Sequence, residues 1–201
     1  MQDQREAWDT FYGSNGRPWR GVSDIGDVPF PEGARVLEIG CGNGKTAIAL
    51  KESGFRVTAM DFSQAAIDSC SDITGVEFIC ASVTDMPFPD DSYDGALAFH
   101  VLEHLTAEEL RAAVSEIERV LHPGSHLVVR VFSADDMRSE KGTRFDDSTV
   151  VRGNGIMYHY FTEEELRKVF DRMDVVYMGT HTQNTRFGTV RSRIHAVFRT
   201  R

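Results

Sequence analysis

Cysteine is scarce: the 201 residues contain Cys41, Cys70 and Cys80 and no others. An odd number at scattered spacing makes neither a disulfide framework nor a zinc site, and free thiols suit a reducing compartment. Long apolar runs are missing too. No stretch approaches the roughly 20 apolar residues that span a bilayer, and residues 1–9 lack the apolar centre of an export signal. A cytoplasmic protein without a membrane partner is therefore expected. Repeats, low-complexity tracts and long linkers are absent. With hydrophobic residues at 41%, neither a disordered nor a fibrous class fits, and one domain over 1–201 is expected. Positive charge is in short supply: 22 Lys and Arg stand against 31 Asp and Glu, a net charge of −9. Such a balance repels nucleic acid, which is not an expected partner. After Asp174 it is acid that disappears, while Arg186, Arg191, Arg193, Arg199 and Arg201 follow. This tail reads first as a solvated basic edge, with a face for an anionic substrate as the alternative.

What is present is alternation. Residues Ala7, Trp8, Phe11 and Tyr12 share one face of an N-terminal helix, and a Gly- and Pro-rich loop over 13–33 follows. Strands are expected over 34–39, 55–60, 76–80, 93–99 and 125–132. The last is Val-rich and without alternation, as a strand covered on both faces should be. Helices are expected over 43–53, after the Ser63 cap, and after a capping box formed by Thr106 and Glu109. Pro123 and Gly124 end that third helix. Residues 133–160 read as a long polar stretch. A second capping box, Thr162 and Glu165, opens a helix that buries Leu166, Val169, Phe170 and Met173. Strands over 175–180 and 193–198 come without a helix between them, as an antiparallel edge hairpin would. The fold class is α/β: a Rossmann-like, seven-stranded, mostly parallel sheet with helices on both faces and a C-terminal antiparallel hairpin. In such sheets the ligand sits beyond the carboxyl ends of the strands.

The first strand runs through Glu38 and Ile39 into Gly40-Cys41-Gly42-Asn43-Gly44 and then a helix. Glycine permits the tight turn and close backbone approach, and the helix start offers unpaired N–H groups. About twenty residues on, Asp61 closes the second strand, where a carboxylate can accept both hydroxyls of a ribose; capping the Ser63 helix is its bland alternative. Glu38 is a second informative acid. A dinucleotide site gains nothing from a carboxylate there, whereas a cationic ligand does; pairing with a local Arg or Lys is the other reading. Gly44 comes two residues after Gly42, and Lys45 stands where a dinucleotide fold wants its third glycine.

His100, Glu103 and His104 spell H-x-x-E-H, a spacing that some zinc peptidases use. That chemistry needs both histidines on one helical face, but this segment leaves a strand before the Thr106 helix begins, so no metal is expected. His100 can contact cofactor or acceptor from the floor of a site, and His104 can be structural or a general base. His159, with Tyr158 and Tyr160 at the end of the long polar stretch, can line an acceptor pocket or anchor packing. Trp8, Tyr12 and Trp19 carry the same ambiguity at the N-terminus, where a helix could cover the site.

In order and spacing these segments resemble the class I S-adenosylmethionine-dependent methyltransferases, in the branch often termed type 11. Residues 36–44 are similar to that family's first motif and Asp61 to its ribose acid. Residues 81–88 with Ser92-Tyr93-Asp94 are similar to its adenine-side segment, 99–105 to its fourth-strand exit, and 121–125 to the turn before its fifth strand. The resemblance implies S-adenosylmethionine as cofactor, held by Glu38, Gly40, Cys41, Gly42, Gly44, Asp61, Phe62, Ser82, Val83 and Phe99. Many relatives carry an acid where Ser82 stands, so Ser82 or Asp85 takes over the adenine amino group here. Residues 1–33 are then a helix and cap segment, 34–132 the cofactor-binding core, and 133–201 an acceptor-side loop, helix and hairpin. The implied activity is methyl transfer to a small-molecule acceptor, with His100, His104 and His159 as catalytic candidates. Cofactor binding without catalysis, or a nucleotide-dependent oxidoreductase, are the alternatives.

Overall fold

The computed structural model describes residues 4–15, 18, 21 and 23–201; Trp19 lies outside them. Helix α1 (Gln4–Asn15) comes first. Then follow β1 (Arg35–Ile39), α2 (Lys45–Glu52), β2 (Arg56–Asp61), α3 (Gln64–Asp68), β3 (Glu77–Cys80) and β4 (Tyr93–Phe99). Helix α4 (Ala107–Val120) leads to β5 (Leu121–Phe132). Three short strands come next, β6 (Thr143–Arg144), β7 (Thr149–Val151) and β8 (Met157–His159). The chain continues through α5 (Glu163–Val169), β9 (Asp174–Asn184) and β10 (Val190–Arg199).

The main sheet has seven strands in the order β3-β2-β1-β4-β5-β10-β9. Strands β1 to β5 pair in parallel, and β9 and β10 extend the sheet as an antiparallel hairpin. This is the expected architecture, and its physical basis is the covering of both faces. On one side Leu110, Val114 and Ile117 of α4 and Leu166 of α5 pack with Leu37, Ile39, Leu127 and Val129. On the other, Ala47 and Leu50 of α2, with Phe30 and Phe55, pack with Val36, Val57 and Leu97.

Local chemistry departs from the sequence reading in four places. The Thr106 capping box is complete, but the Thr162 box is half made: Glu165 N donates to the Thr162 hydroxyl (3.1 Å), while the Glu165 carboxylate is taken by His159 Nε2 (2.8 Å). Pro123 and Gly124 do not end α4, which stops at Val120; they fall inside a register shift between β4 and β5, where a residue without an N–H costs no ladder bond. Strand β5 does alternate, with Leu127, Val129 and Val131 buried and Val128 and Arg130 half-buried. Its second face is covered by the segment before β1, onto which Arg130 donates at Asp24 O, not by a helix. Finally, the polar stretch is not structureless, since β6-β7-β8 form a small antiparallel sheet within it.

Candidate functional site

A cleft open to solvent lies at the carboxyl ends of β1, β2 and β4. Its walls include Gly40, Met60, Asp61, Phe62, Ser82 and Val83, and the histidines His100 and His104. The loop between β1 and α2 is tightly built. Gly40 and Gly44 sit at φ of 69° and 74°. A Cβ on Gly40 would overlap the Val101 side chain, and one on Gly44 would come within 2.5 Å of Ile73 Cδ1. Glycine is needed here for the turn and for packing.

Asp61 fixes this loop to the second strand. One carboxylate oxygen accepts Gly42 N–H (2.9 Å) and the other accepts Ser63 N–H (3.0 Å). Burial pushes its pKa up to about 6, against the pull of those two N–H groups. The acid thus ties the glycine loop to the start of α3 while standing in the cleft wall, a double role that sequence spacing does not reveal. Glu38 is buried, and its carboxyl accepts from the Thr46 hydroxyl and Ala47 N–H; burial, above all, raises its pKa well above the ordinary value. Among the described residues its Oε2 has no hydrogen-bond partner, so an unmet oxygen sits under the loop.

The expected cofactor residues divide. Gly40, Asp61, Phe62, Ser82 and Val83 line the cleft; Glu38, Cys41, Gly42, Gly44 and Phe99 do not. Cys41 is buried and its N–H is spent on Met60 O (2.8 Å). Phe99 faces the α2 side of the sheet, packed in that core with the Arg130 guanidinium 4.1 Å over its ring. Its place at the strand exit is as expected, but the pleat turns it away. Ser82 hydrogen-bonds Thr84 Oγ1 (2.8 Å), and Asp85 is exposed outside the cleft wall.

Helix α1 closes the cleft from above, and spacing alone did not mark the residues that anchor it. Asp9 accepts from Ser63 Oγ (2.6 Å) and Ala65 N (3.2 Å), tying α1 to α3. Gln4 bridges Met157 N (2.9 Å) and Gly155 O (3.1 Å) on the small sheet. Trp8 and Tyr12 are buried and line the cleft, with Trp8 edge-on to His104 at 4.9 Å. The apolar face of the helix was legible in the sequence; what it covers was not.

The three histidines also divide. His100 has a positive φ of 59°, rare for a residue with a Cβ, and its Nδ1 lies 2.8 Å from Glu103 Oε1. His104 Nδ1 is 2.7 Å from Met157 O, so the nitrogen carries the proton and Nε2 keeps a lone pair. Burial holds the His104 pKa below its ordinary value. His159 is outside the cleft wall, with Nδ1 on Thr149 Oγ1 (2.9 Å) and Nε2 on Glu165 (2.8 Å). These contacts join β8 to β7 and to α5. Among the described residues no three His, Cys, Asp or Glu side chains are placed to hold a metal, and no helix is long and apolar enough to cross a membrane.

Residues 37–129 match the profile of a family described as "Methyltransferase domain". The tRNA N(3)-cytidine methyltransferase METTL2 of Gallus gallus is 29% identical over 154 residues, covering 69% of this chain and 42% of the relative. The tRNA N(3)-methylcytidine methyltransferase trm140 of Schizosaccharomyces pombe is 28% identical over 198 residues, covering 86% of this chain and 64% of the relative. The chain thus spans well under half of one and less than two thirds of the other. A crystal structure of a SAM-dependent methyltransferase from Methanosarcina mazei superposes with a TM-score of 0.74 at 22% identity, covering 88% of this chain and 99% of that one.

Relatives named for tRNA overturn the expectation of a small-molecule acceptor with nucleic acid as an unlikely partner. Net charge is a poor guide to a partner because it averages over the surface. Residues 175–201 carry five arginines and no acid, and they form the hairpin next to β5.

Proposed function

We propose that this chain, whose residues 37–129 match the methyltransferase-domain family, transfers a methyl group from S-adenosylmethionine to a base of RNA, tRNA cytidine being the first acceptor to test. The observation that carries the cofactor half is the cleft wall, in which Asp61 and the turn at Gly40 meet at the carboxyl ends of β1 and β2. The names of the METTL2 and trm140 relatives support the acceptor half.

S-adenosylmethionine supplies, when bound, a methyl group on a sulfonium sulfur that a lone pair can displace. Asp61, with free lone pairs beside its two N–H contacts, suits the ribose hydroxyls. Phe62 and Val83 suit the faces and edge of an adenine, and Ser82 its amino group. Burial favours the neutral form of Glu38, and a cationic ligand over the loop would draw its carboxyl into the charged form and meet the open Oε2. Trp8 and Tyr12 exclude water from above. His100 and His104 stand at the acceptor end, where alignment of two reactants can lower a barrier by ~7–11 kcal/mol. A ring nitrogen with its own lone pair needs no base to attack, so the lack of a catalytic triad is consistent with this chemistry.

The test has two stages. Calorimetric titration with S-adenosylmethionine, S-adenosylhomocysteine and NAD should give binding of the first two and none of the third. Tritiated methyl transfer into bulk tRNA, followed by nucleoside analysis, should then place label on a base. Label found only on a small molecule, or none on RNA while the cofactor binds, would refute the acceptor assignment and leave the cofactor assignment standing.

A further inference from the structure

The arginines of the C-terminal hairpin separate by topology. Because β10 runs antiparallel to β5, its beginning lies on the rim where β5 ends. Arg193 pairs with Phe132 in the register, and Arg199 with His126 at the opposite rim. Arg191 and Arg193 therefore stand at the cleft rim. Arg199 and Arg201 stand away from it, with Arg201 in an ion pair with Asp174 (2.9 Å). The loop after β5 adds Arg138 to the first group, and the loop after β7 adds Arg152.

This group has too little negative charge. Asp136 is fully buried and is committed to Arg191 Nε (2.8 Å), Ser192 N (2.9 Å) and Arg138 N (3.0 Å). Among the described residues neither Arg138 nor Arg193 has a carboxylate within ion-pair distance. Among the described residues the buried Nε atoms of Arg152 and Arg193 have no hydrogen-bond partner. Burial and the neighbouring arginines hold the pKa of Arg138 and Arg193 below the ordinary value. Guanidinium groups held close together and half out of water, with one saturated carboxylate, form a site that an anion would complete.

Aromatic rings join this group to the cleft. Arg191 lies over the Phe132 ring (5.3 Å to its centroid), and His100 stacks on Phe132 at 4.5 Å. Arg152 lies over Tyr158 (3.8 Å), which meets His104 edge-on at 4.8 Å. One ring therefore separates the arginines from the histidines of the cleft.

We propose that Arg138, Arg191 and Arg193 form a phosphate-binding site for the RNA backbone beside the acceptor base, an assignment that rests on the RNA reading above. Arg191, fixed by Asp136, orients the group; Arg138 and Arg193 supply the open donors.

The experiment compares two double variants that remove equal charge: Arg138→Gln with Arg193→Gln at the cleft rim, and Arg199→Gln with Arg201→Gln at the far rim. Fluorescein-labelled bulk tRNA is titrated by anisotropy over a salt series, tripolyphosphate by calorimetry, and S-adenosylhomocysteine as a check on folding. The cleft-rim variant should lose tRNA affinity about 10-fold or more, with a salt slope smaller by roughly 0.7 for each phosphate released. The far-rim variant should stay within about two-fold. Equal losses in both variants would mean diffuse attraction and overturn the site, leaving the RNA reading intact. Tripolyphosphate binding that the cleft-rim variant loses, with no tRNA binding by the unmodified protein, would keep the anion site and overturn the RNA reading. No binding of either probe would overturn both. Arg138→Gln alone, a loop position with no ion pair to lose, decides the matter if the double variant does not fold.

Discussion

Replacing Asp61 with Asn tests the architecture of the glycine loop through pH. Burial raises the carboxyl from its ordinary 3.8 to about 6, so the folded protein holds that proton more tightly than the unfolded chain does. For this group, stability is greatest below about pH 4 and falls as pH rises through about 6. The full cost at neutral pH is about 3 kcal/mol, of which about 2 kcal/mol develops between pH 4.5 and 7. Asn cannot ionise, so it escapes this cost. It also turns an amide N–H₂ toward one of the two N–H donors, Gly42 or Ser63, and so forfeits a charge-assisted bond of about 1.5–3 kcal/mol. The two effects nearly cancel at pH 7, and the Asp61→Asn variant should unfold within about 1–2 kcal/mol of the unmodified protein there. At pH 4.5 the unmodified protein regains stability and the variant should fall behind by about 2 kcal/mol more. Urea unfolding of both proteins, followed by circular dichroism at half-unit steps of pH, measures the difference. Carboxylates elsewhere cancel in that difference. A stability gap that stays constant from pH 4.5 to 7 would refute the buried, ionisable reading of Asp61. The same variant should lose most of its affinity for S-adenosylhomocysteine, because one ribose acceptor is gone.

Gly40→Ala should destabilise by about 2–4 kcal/mol, combining a left-handed backbone with overlap against Val101; adding Val101→Ala should recover the steric share but not the backbone share, as thermal unfolding would read. Full rescue by that second change would mean that φ at Gly40 is not constraining. His104 should be neutral at and above pH 6.5, since burial lowers its pKa, so the methylation rate should carry no limb from this residue between pH 6.5 and 8; a limb there that vanishes in His104→Gln would contradict the assignment. His159→Gln should leave kcat within about two-fold and cost about 1 kcal/mol of stability, the worth of a typical hydrogen bond; a large kcat loss at unchanged stability would return His159 to the site.

Much of the fold was legible because local rules and global order agreed. Tyr93–Phe99 was bounded correctly, Thr106 and Glu109 opened a helix as capping chemistry requires, and two strands in succession gave the antiparallel hairpin. Reading failed where one local rule competed with a tertiary partner. Glu165 left its capping box for His159, and Pro123–Gly124 went into a strand irregularity instead of a helix end. Residues 143–159 lacked a hydrophobic period long enough to mark their short strands.

The sequence by itself determined that a strand, a glycine turn and a helix would stand in succession with an acid at the next strand end, because those features depend on backbone conformation and chain spacing. Which side chains share a cleft was decided only by tertiary structure. The pleat turned Phe99 away while its neighbour His100 stayed in, α1 crossed the rim to cover Asp61, and the antiparallel direction of β10 sent Arg191 and Arg193 to one rim and Arg199 and Arg201 to the other. Charge adds along a sequence without regard to place, whereas a binding site responds to the field at one point, and only the folded chain sets that field.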